Sequence, residues 1–208
     1  MTKGHDRMSS PFVLQLNNKP CLVIGGGKIA ERKINHLIAE KAAVTVISPT
    51  LTDHLNQQTN DFTYMKTSLV ESDLKQETCE RLGLTWRSFF LVVVATEVTP
   101  LNEMFAKYLN KYVVLINVVD SQVLSSFFFP AVLDRGHLKI AITTSGASPI
   151  LAKKIKHHLL EMFGPEYRDY TEYLANIRAD LHESEPDAKK RKQILEDITE
   201  FPAPKKFD

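Results

Sequence analysis

Apolar residues along this chain follow two alternating patterns: short unbroken runs, and longer stretches in which they recur every three or four positions. Cys21–Gly25 is a continuous apolar run and predicts a first strand, while Lys28–Glu40 carries Ile29, Ile34, Leu37 and Ile38 at helical spacing. A β-branched run over Ala43–Ser48, stopped by Pro49, predicts a second strand. A short helix over Asp53–Gln58 and a third strand over Phe62–Lys66 follow. Glu71–Leu82 reads as a further helix. Phe89–Ala95 is apolar throughout, as expected of a parallel strand buried on both faces. Pro100–Asn110 is helical, with Leu101, Met104, Phe105, Tyr108 and Leu109 as its apolar positions, and Val113–Val119 closes the series. Strands alternating with helices at this spacing predict a parallel α/β sheet.

Near Asp120 the pattern changes. Ser126–Leu133 and Leu138–Thr144 read as two strands around the tight turn Asp134-Arg135-Gly136-His137. From Ser148 onward the pattern is helical. Ser148 is a good N-cap, Pro149 suits the first helical position, and Ile150, Leu151, Ile155, Leu159 and Met162 form an apolar stripe that Gly164-Pro165 ends. Two more helices, Glu166–His182 and Pro186–Thr199, precede a polar, Pro-rich tail. The expected fold is α/β: a Rossmann-like parallel sheet over residues 1–116, a small central β segment over 117–147, and a helical C-terminal domain over 148–208. The run Phe127-Phe128-Phe129 is more aromatic than an edge hairpin should show to water. It predicts either a two-fold subunit interface or packing under the C-terminal helices.

At 208 residues, with 43% hydrophobic and 25% charged residues, the composition is that of an ordinary soluble protein. A formal charge of +1 argues against nucleic acid or an anionic membrane as partner. No apolar segment is long enough to cross a bilayer, and the polar stretch Met1–Ser10 is expected to be frayed. Cys21 and Cys79 form no motif, which points to a reducing, cytoplasmic setting. The seven histidines show no metal-ligand spacing, so no resident metal is expected. His157 and His158 point to different helix faces, and His137 sits at an exposed turn.

The first chemical candidate is the turn Gly25-Gly26-Gly27-Lys28-Ile29-Ala30, which reads G-x-G-x-x-A between a strand and a helix. Gly25 allows the tight turn, Gly27 lets backbone approach a pyrophosphate, and Ala30 keeps the helix close to the sheet. A plain glycine turn is the alternative. The end of the second strand, Ile47-Ser48-Pro49-Thr50, lacks the acid that usually binds a ribose hydroxyl. No arginine stands beside it to take a 2′-phosphate, which favours NAD over NADP. Thr96, just past an apolar strand, is expected to face the same crevice.

The order of motifs resembles one family. Gly25-Gly-Gly-x-x-Ala30-x-Arg32-Lys33, Val44-Thr-Val-x-Ser-Pro49 and Val94-Ala95-Thr96 are followed by Asn117-Val-Val-Asp120, Ser126-Phe127 with Pro130, and Thr144-x-Gly146-x-Ser148-Pro149. From Phe12 to Leu195 the chain is similar to the precorrin-2 dehydrogenases of siroheme synthesis. That resemblance implies oxidation of precorrin-2, a tetrapyrrole, to sirohydrochlorin with NAD, by a homodimer built through the central β segment. Some members also insert ferrous iron. The methyltransferase domain of full siroheme synthases has no counterpart in these residues, so methylation is not expected.

The resemblance maps cofactor contacts onto Lys28, Ile29, Pro49 and Thr50, and the implicated acid onto Asp120. At the carboxyl end of a strand, a carboxylate partly shielded from water can exchange protons during hydride loss or pyrrole N–H removal. An Asp that merely caps a turn is the alternative. Thr143-Thr144-Ser145-Gly146-Ala147-Ser148, with Ser126, offers hydroxyls and a helix N-terminus to the carboxylates of a tetrapyrrole. A simple capping turn with Lys153, Lys154 and Lys156 on a solvated face competes with that reading. Ser145 stands where the family has a first glycine, which makes the turn less open. A nucleotide-sensing Rossmann module with no enzymatic activity is the remaining alternative.

Overall fold

Five parallel strands build the sheet: β1 (Pro20–Ile24), β2 (Ala43–Ile47), β3 (Thr63–Met65), β4 (Leu91–Val94) and β5 (Leu115–Val118), in the order β3-β2-β1-β4-β5. Val23 of β1 pairs with Val46 on one side and Val93 on the other. Cys21 to Ile24 and Leu91 to Val94 are all buried, which is why these runs are apolar without alternation. Burial pushes the Cys21 thiol up to about 11, so it behaves as a small core residue. The computed structural model describes residues 9–203, and the stretch Met1–Ser10 lies outside that range except for its last two residues.

Helices α1 (Lys28–Ala39) and α3 (Thr99–Leu109) cover the sheet, and α2 (Asp53–Gln57) is capped by Thr52. On α1 the buried positions are Ala30, Ile34 and Leu37, whereas Ile29 is exposed at the N-terminal turn. On α3 the inward register is Asn102, Phe105, Ala106 and Leu109, at i, i+3, i+4 and i+7. Leu101, expected on the stripe, lies one position off this register and is exposed.

The helix expected over Glu71–Leu82 does not form. A short 3₁₀ turn, Glu71–Leu74, is followed by a small antiparallel pair, Thr78–Cys79 with Leu84–Thr85. The cause is Asp73, a buried side chain that bends back to accept the Val70 N–H at 2.9 Å and the Arg81 Nε–H at 3.0 Å. Those bonds hold its carboxyl below the usual carboxylate range, with Arg81 as the main cause. The indole N–H of buried Trp86 donates to the Asp73 carbonyl at 3.2 Å, taking an acceptor that a helix would have used.

The chain divides into two units: residues 10–128, and a second that joins Ser9 to residues 129–203. Residues 117–128 thus side with the sheet. In the second unit β6 (Ala131–Arg135) and β7 (Leu138–Ile142) form a hairpin that pairs Arg135 with Leu138. The strand expected from Ser126 starts only at Ala131. Pro130 has no N–H to give a ladder. The Ser126 backbone is already spent on Ile116 of β5, its N–H donating to that carbonyl at 2.8 Å.

Helices α4 (Pro149–Met162), α5 (Glu166–Ser184) and α6 (Ala188–Ile198) complete this unit. The apolar stripe of α4 is not covered: Ile150 is 69% and Met162 54% exposed, Leu151 and Ile155 are also exposed, and only Ala152 is buried. Among the described residues no helix is long and apolar enough to cross a membrane.

Candidate active site

The strand order places β1 where the chain turns from one half of the sheet to the other, so a crevice opens at the carboxyl ends of β1 and β4. Four predicted segments meet this edge. Gly25–Gly27 follow β1, Pro49 and Thr50 follow β2, Thr96 follows β4, and Asp120 follows β5.

The three glycines differ in what requires them. Gly25 has φ +125°, and a Cβ there would stand 2.2 Å from the Ala95 carbonyl oxygen. At Gly26 a Cβ would stand 2.1 Å from the Thr50 carbonyl oxygen. Both are fixed by packing within the protein. Gly27 has an ordinary φ of −80°, and a Cβ there would meet only Glu97 Oε1, at 3.4 Å. Among the described residues nothing else demands glycine at that point, whereas a phosphate approaching the backbone would. Gly27 also caps α1 without a side-chain acceptor, so the amides of Lys28, Ile29 and Ala30 face outward at the positive helix end. The residues therefore fit a dinucleotide pyrophosphate. Lys28, Ile29, Pro49 and Thr50 are exposed around it.

Asp120 is not shielded as expected; it is exposed, at the tip of a tight turn in which Ser121 N–H donates to Val118 O at 3.2 Å. Its position is nevertheless fixed. Thr99 Oγ1 donates to Asp120 Oδ2 at 2.8 Å, and Asn102 Nδ2 donates to the same oxygen at 3.3 Å. Asn102 is fully buried on α3, and it accepts from Thr96 N–H (3.2 Å) and Thr96 Oγ1 (2.6 Å) while donating to Thr96 O (3.0 Å). One buried amide therefore clamps the ends of β4 and β5 together. It anchors one oxygen of Asp120 and leaves Oδ1 outside these bonds, able to take a proton. Sequence reasoning missed Asn102 and Thr99. The available signal was a polar residue in register with Phe105, Ala106 and Leu109, a position that must be buried and therefore bonded.

Ser126 does not reach this edge. Its Oγ accepts the Ile116 N–H at 2.8 Å and donates to Val114 O at 2.6 Å, near the start of β5. From Ile116 to Asp120 a strand advances by roughly 13 Å.

The Thr143–Ser148 turn belongs to the second unit. Thr143 Oγ1 accepts Ser145 N–H (3.1 Å), Thr144 Oγ1 accepts Ser148 N–H (2.9 Å), and Ser148 Oγ caps α4 by accepting Leu151 N–H (3.1 Å). Each of these oxygens acts as acceptor, so each hydroxyl hydrogen can still be donated. Ser145 has φ +49°, the left-handed region that a glycine would enter without strain. His137 is exposed and meets Glu172, with Nε2 2.9 Å from Oε2. Among the described residues no group of three or more His, Cys, Asp or Glu side chains could hold a metal ion.

Sheet order, glycine turn and open α1 terminus together define a dinucleotide-binding protein of the Rossmann class. In agreement, the family described as putative NAD(P)-binding matches residues 12–131, and the sirohaem biosynthesis protein central family matches residues 135–162. A precorrin-2 dehydrogenase from Priestia megaterium is 31% identical, over 89% of this chain and 87% of that protein. The solved structure of the precorrin-2 dehydrogenase SirC has a TM-score of 0.76 and 30% identity, covering 93% of this chain and 90% of the other. A siroheme synthase from Ruthia magnifica subsp. Calyptogena magnifica is 31% identical over 89% of the chain, which spans only 37% of that longer relative. The chain belongs to the precorrin-2 dehydrogenase family of siroheme biosynthesis.

Proposed function

We propose that this protein oxidises precorrin-2 to sirohydrochlorin, with NAD as hydride acceptor. The observation that carries the reading is the convergence of an open phosphate cradle at Gly27 and an anchored carboxylate at Asp120 on one sheet edge. NAD, when bound, supplies the acceptor for hydride from a ring carbon of the macrocycle. The chain supplies the rest. Gly25–Gly27 and the first α1 amides hold the pyrophosphate, Pro49, Thr50 and Ile29 flank the adenosine end, and Thr96 borders the crevice. Asp120 Oδ1 receives the proton lost with the hydride, while Thr99 and Asn102 hold Oδ2. The test is an absorbance assay with enzymatically generated precorrin-2 and NAD. Sirohydrochlorin should form well above the uncatalysed rate; NAD binding with no such product would identify a nucleotide-sensing module instead.

Asp120 Oδ1 also suits removal of pyrrole N–H protons, which metal insertion into sirohydrochlorin requires. Adding ferrous or cobaltous ion to supplied sirohydrochlorin, against a control without protein, tests this second activity. We also read the Thr143–Ser148 turn as a carboxylate clamp for the tetrapyrrole, on the strength of its available hydroxyl hydrogens. Ser148→Ala is expected to lose about 1 kcal/mol of stability as a helix cap. It should also raise KM for precorrin-2 several-fold while leaving KM for NAD unchanged; an unchanged precorrin-2 KM would reduce Ser148 to a cap.

The bare α4 stripe supports a homodimer, since exposed apolar side chains in a row along one helix face favour a second surface over water. Two free, buried cysteines support a cytoplasmic setting.

A further inference from the structure

A nicotinamide site with no acid at the end of β2 lacks the usual group that tells a ribose 2′-hydroxyl from a 2′-phosphate. Here Ser48, Pro49 and Thr50 occupy that place, and Ser48 Oγ turns inward to donate to Thr50 O at 2.7 Å. A carboxylate reaches the same loop from the neighbouring helix. Glu31 lies in the first turn of α1, where its amide donates to Gly27 O at 2.9 Å, and its Oε2 accepts a hydrogen bond from Thr52 Oγ1. Thr52 in turn donates its N–H to Gly26 O at 3.0 Å and caps α2 by accepting Leu55 N–H at 3.3 Å. His54 Nδ1 stands 3.6 Å from Glu31 Oε1. The Glu31 side chain is only 24% exposed, so its charge is fixed in place and partly withdrawn from water.

We propose that Glu31 sets the choice of NAD over NADP, acting from α1 in the role that an acid at the end of β2 plays elsewhere. The inference rests on the nicotinamide-site reading above. A pyrophosphate seated on Gly27 directs the adenosine ribose toward the end of β2, the loop to which Glu31 is tied. A 2′-phosphate arriving there meets a like charge that cannot swing away and that solvent screens incompletely. A 2′-hydroxyl carries no charge and meets no such penalty.

The test is equilibrium binding of NADH and NADPH, followed by nicotinamide fluorescence, to the wild-type chain, Glu31→Gln and Asp53→Asn. Glutamine keeps an acceptor for Thr52 Oγ1 and removes only the charge. Asp53, the neighbouring acid at the start of α2, is exposed and serves as the control for a general surface field. The wild type should bind NADH more tightly than NADPH. Glu31→Gln should raise NADPH affinity relative to NADH by about 10-fold or more, a shift that one like charge across partly wet protein can supply. Asp53→Asn should leave the ratio alone. Equal weakening of both cofactors by Glu31→Gln, an unmoved ratio, or an equal shift from Asp53→Asn would each overturn the inference. Binding of neither cofactor by the wild type would overturn the underlying reading as well. A wild type that binds NADH and keeps its ratio in Glu31→Gln leaves that reading intact and removes only this one.

Discussion

Asp120→Ala is expected to lower the rate of sirohydrochlorin formation by ~10²-fold or more, while NADH affinity stays at the wild-type value. The size follows from what is removed. Asp120 Oδ1 is a carboxylate oxygen outside the Thr99 and Asn102 hydrogen bonds, on the same sheet edge as the cofactor cradle. No bond in the cradle passes through its side chain, so the nucleotide has no reason to leave. Asp120→Asn should be nearly as slow, because an amide retains the hydrogen-bonding shape but does not accept the proton. Rates are to be followed by absorbance with enzymatically generated precorrin-2, and NADH binding by fluorescence in parallel. Near-normal turnover in either variant would hand the proton to another group.

Gly25 and Gly27, two positions apart in sequence, should fail in opposite ways. Gly25→Ala places a methyl 2.2 Å from a backbone carbonyl that cannot move freely, at φ +125°. Conformational strain of roughly 1–2 kcal/mol adds to an overpacking cost of roughly 1–3 kcal/mol. That is a large part of the stability of a small domain, so a marked drop in urea midpoint and little folded protein are expected. Gly27→Ala has room and an ordinary φ, and as an N-cap it loses at most about 1 kcal/mol. It should fold, yet bind NADH ~10-fold more weakly or worse, because its methyl fills the space over which the pyrophosphate approaches. A folded Gly27→Ala with wild-type affinity would show that the phosphate sits elsewhere.

The parallel sheet and its glycine turn were legible because they rest on near neighbours. Runs such as Leu91–Val94 declare burial on both faces by their own composition, and Gly25 to Ala30 spell a strand–turn–helix within six residues. Where legibility failed, a longer-range polar contact had intervened. Glu71–Leu82 carries good helix formers such as Glu71, Leu74, Lys75, Gln76 and Glu77, but Asp73 bonds to Arg81 and the Val70 amide and bends the segment into a 3₁₀ turn and one strand of a small antiparallel pair. The periodicity of α4 marks its apolar stripe, but periodicity does not say whether the protein's own core or another surface covers it. Ser126 lies in a motif that implies a substrate contact, while in this chain its hydroxyl bonds to the main chain of β5.

By itself, then, the sequence determined the α/β class and the segments that follow the carboxyl ends of the strands: Gly25–Gly27, Pro49–Thr50, Thr96 and Asp120. Hydrophobic period and turn chemistry are steric properties of adjacent residues, and they survive in a single chain read linearly. Only the tertiary structure decided how these segments are held. The bonds from Asn102 and Thr99 to Asp120 span 18 and 21 residues, and the bond from Thr52 to Glu31 spans 21. A hydrogen bond forms between whichever donors and acceptors the packed strands leave side by side, and that adjacency is set by strand order and helix register rather than by sequence distance.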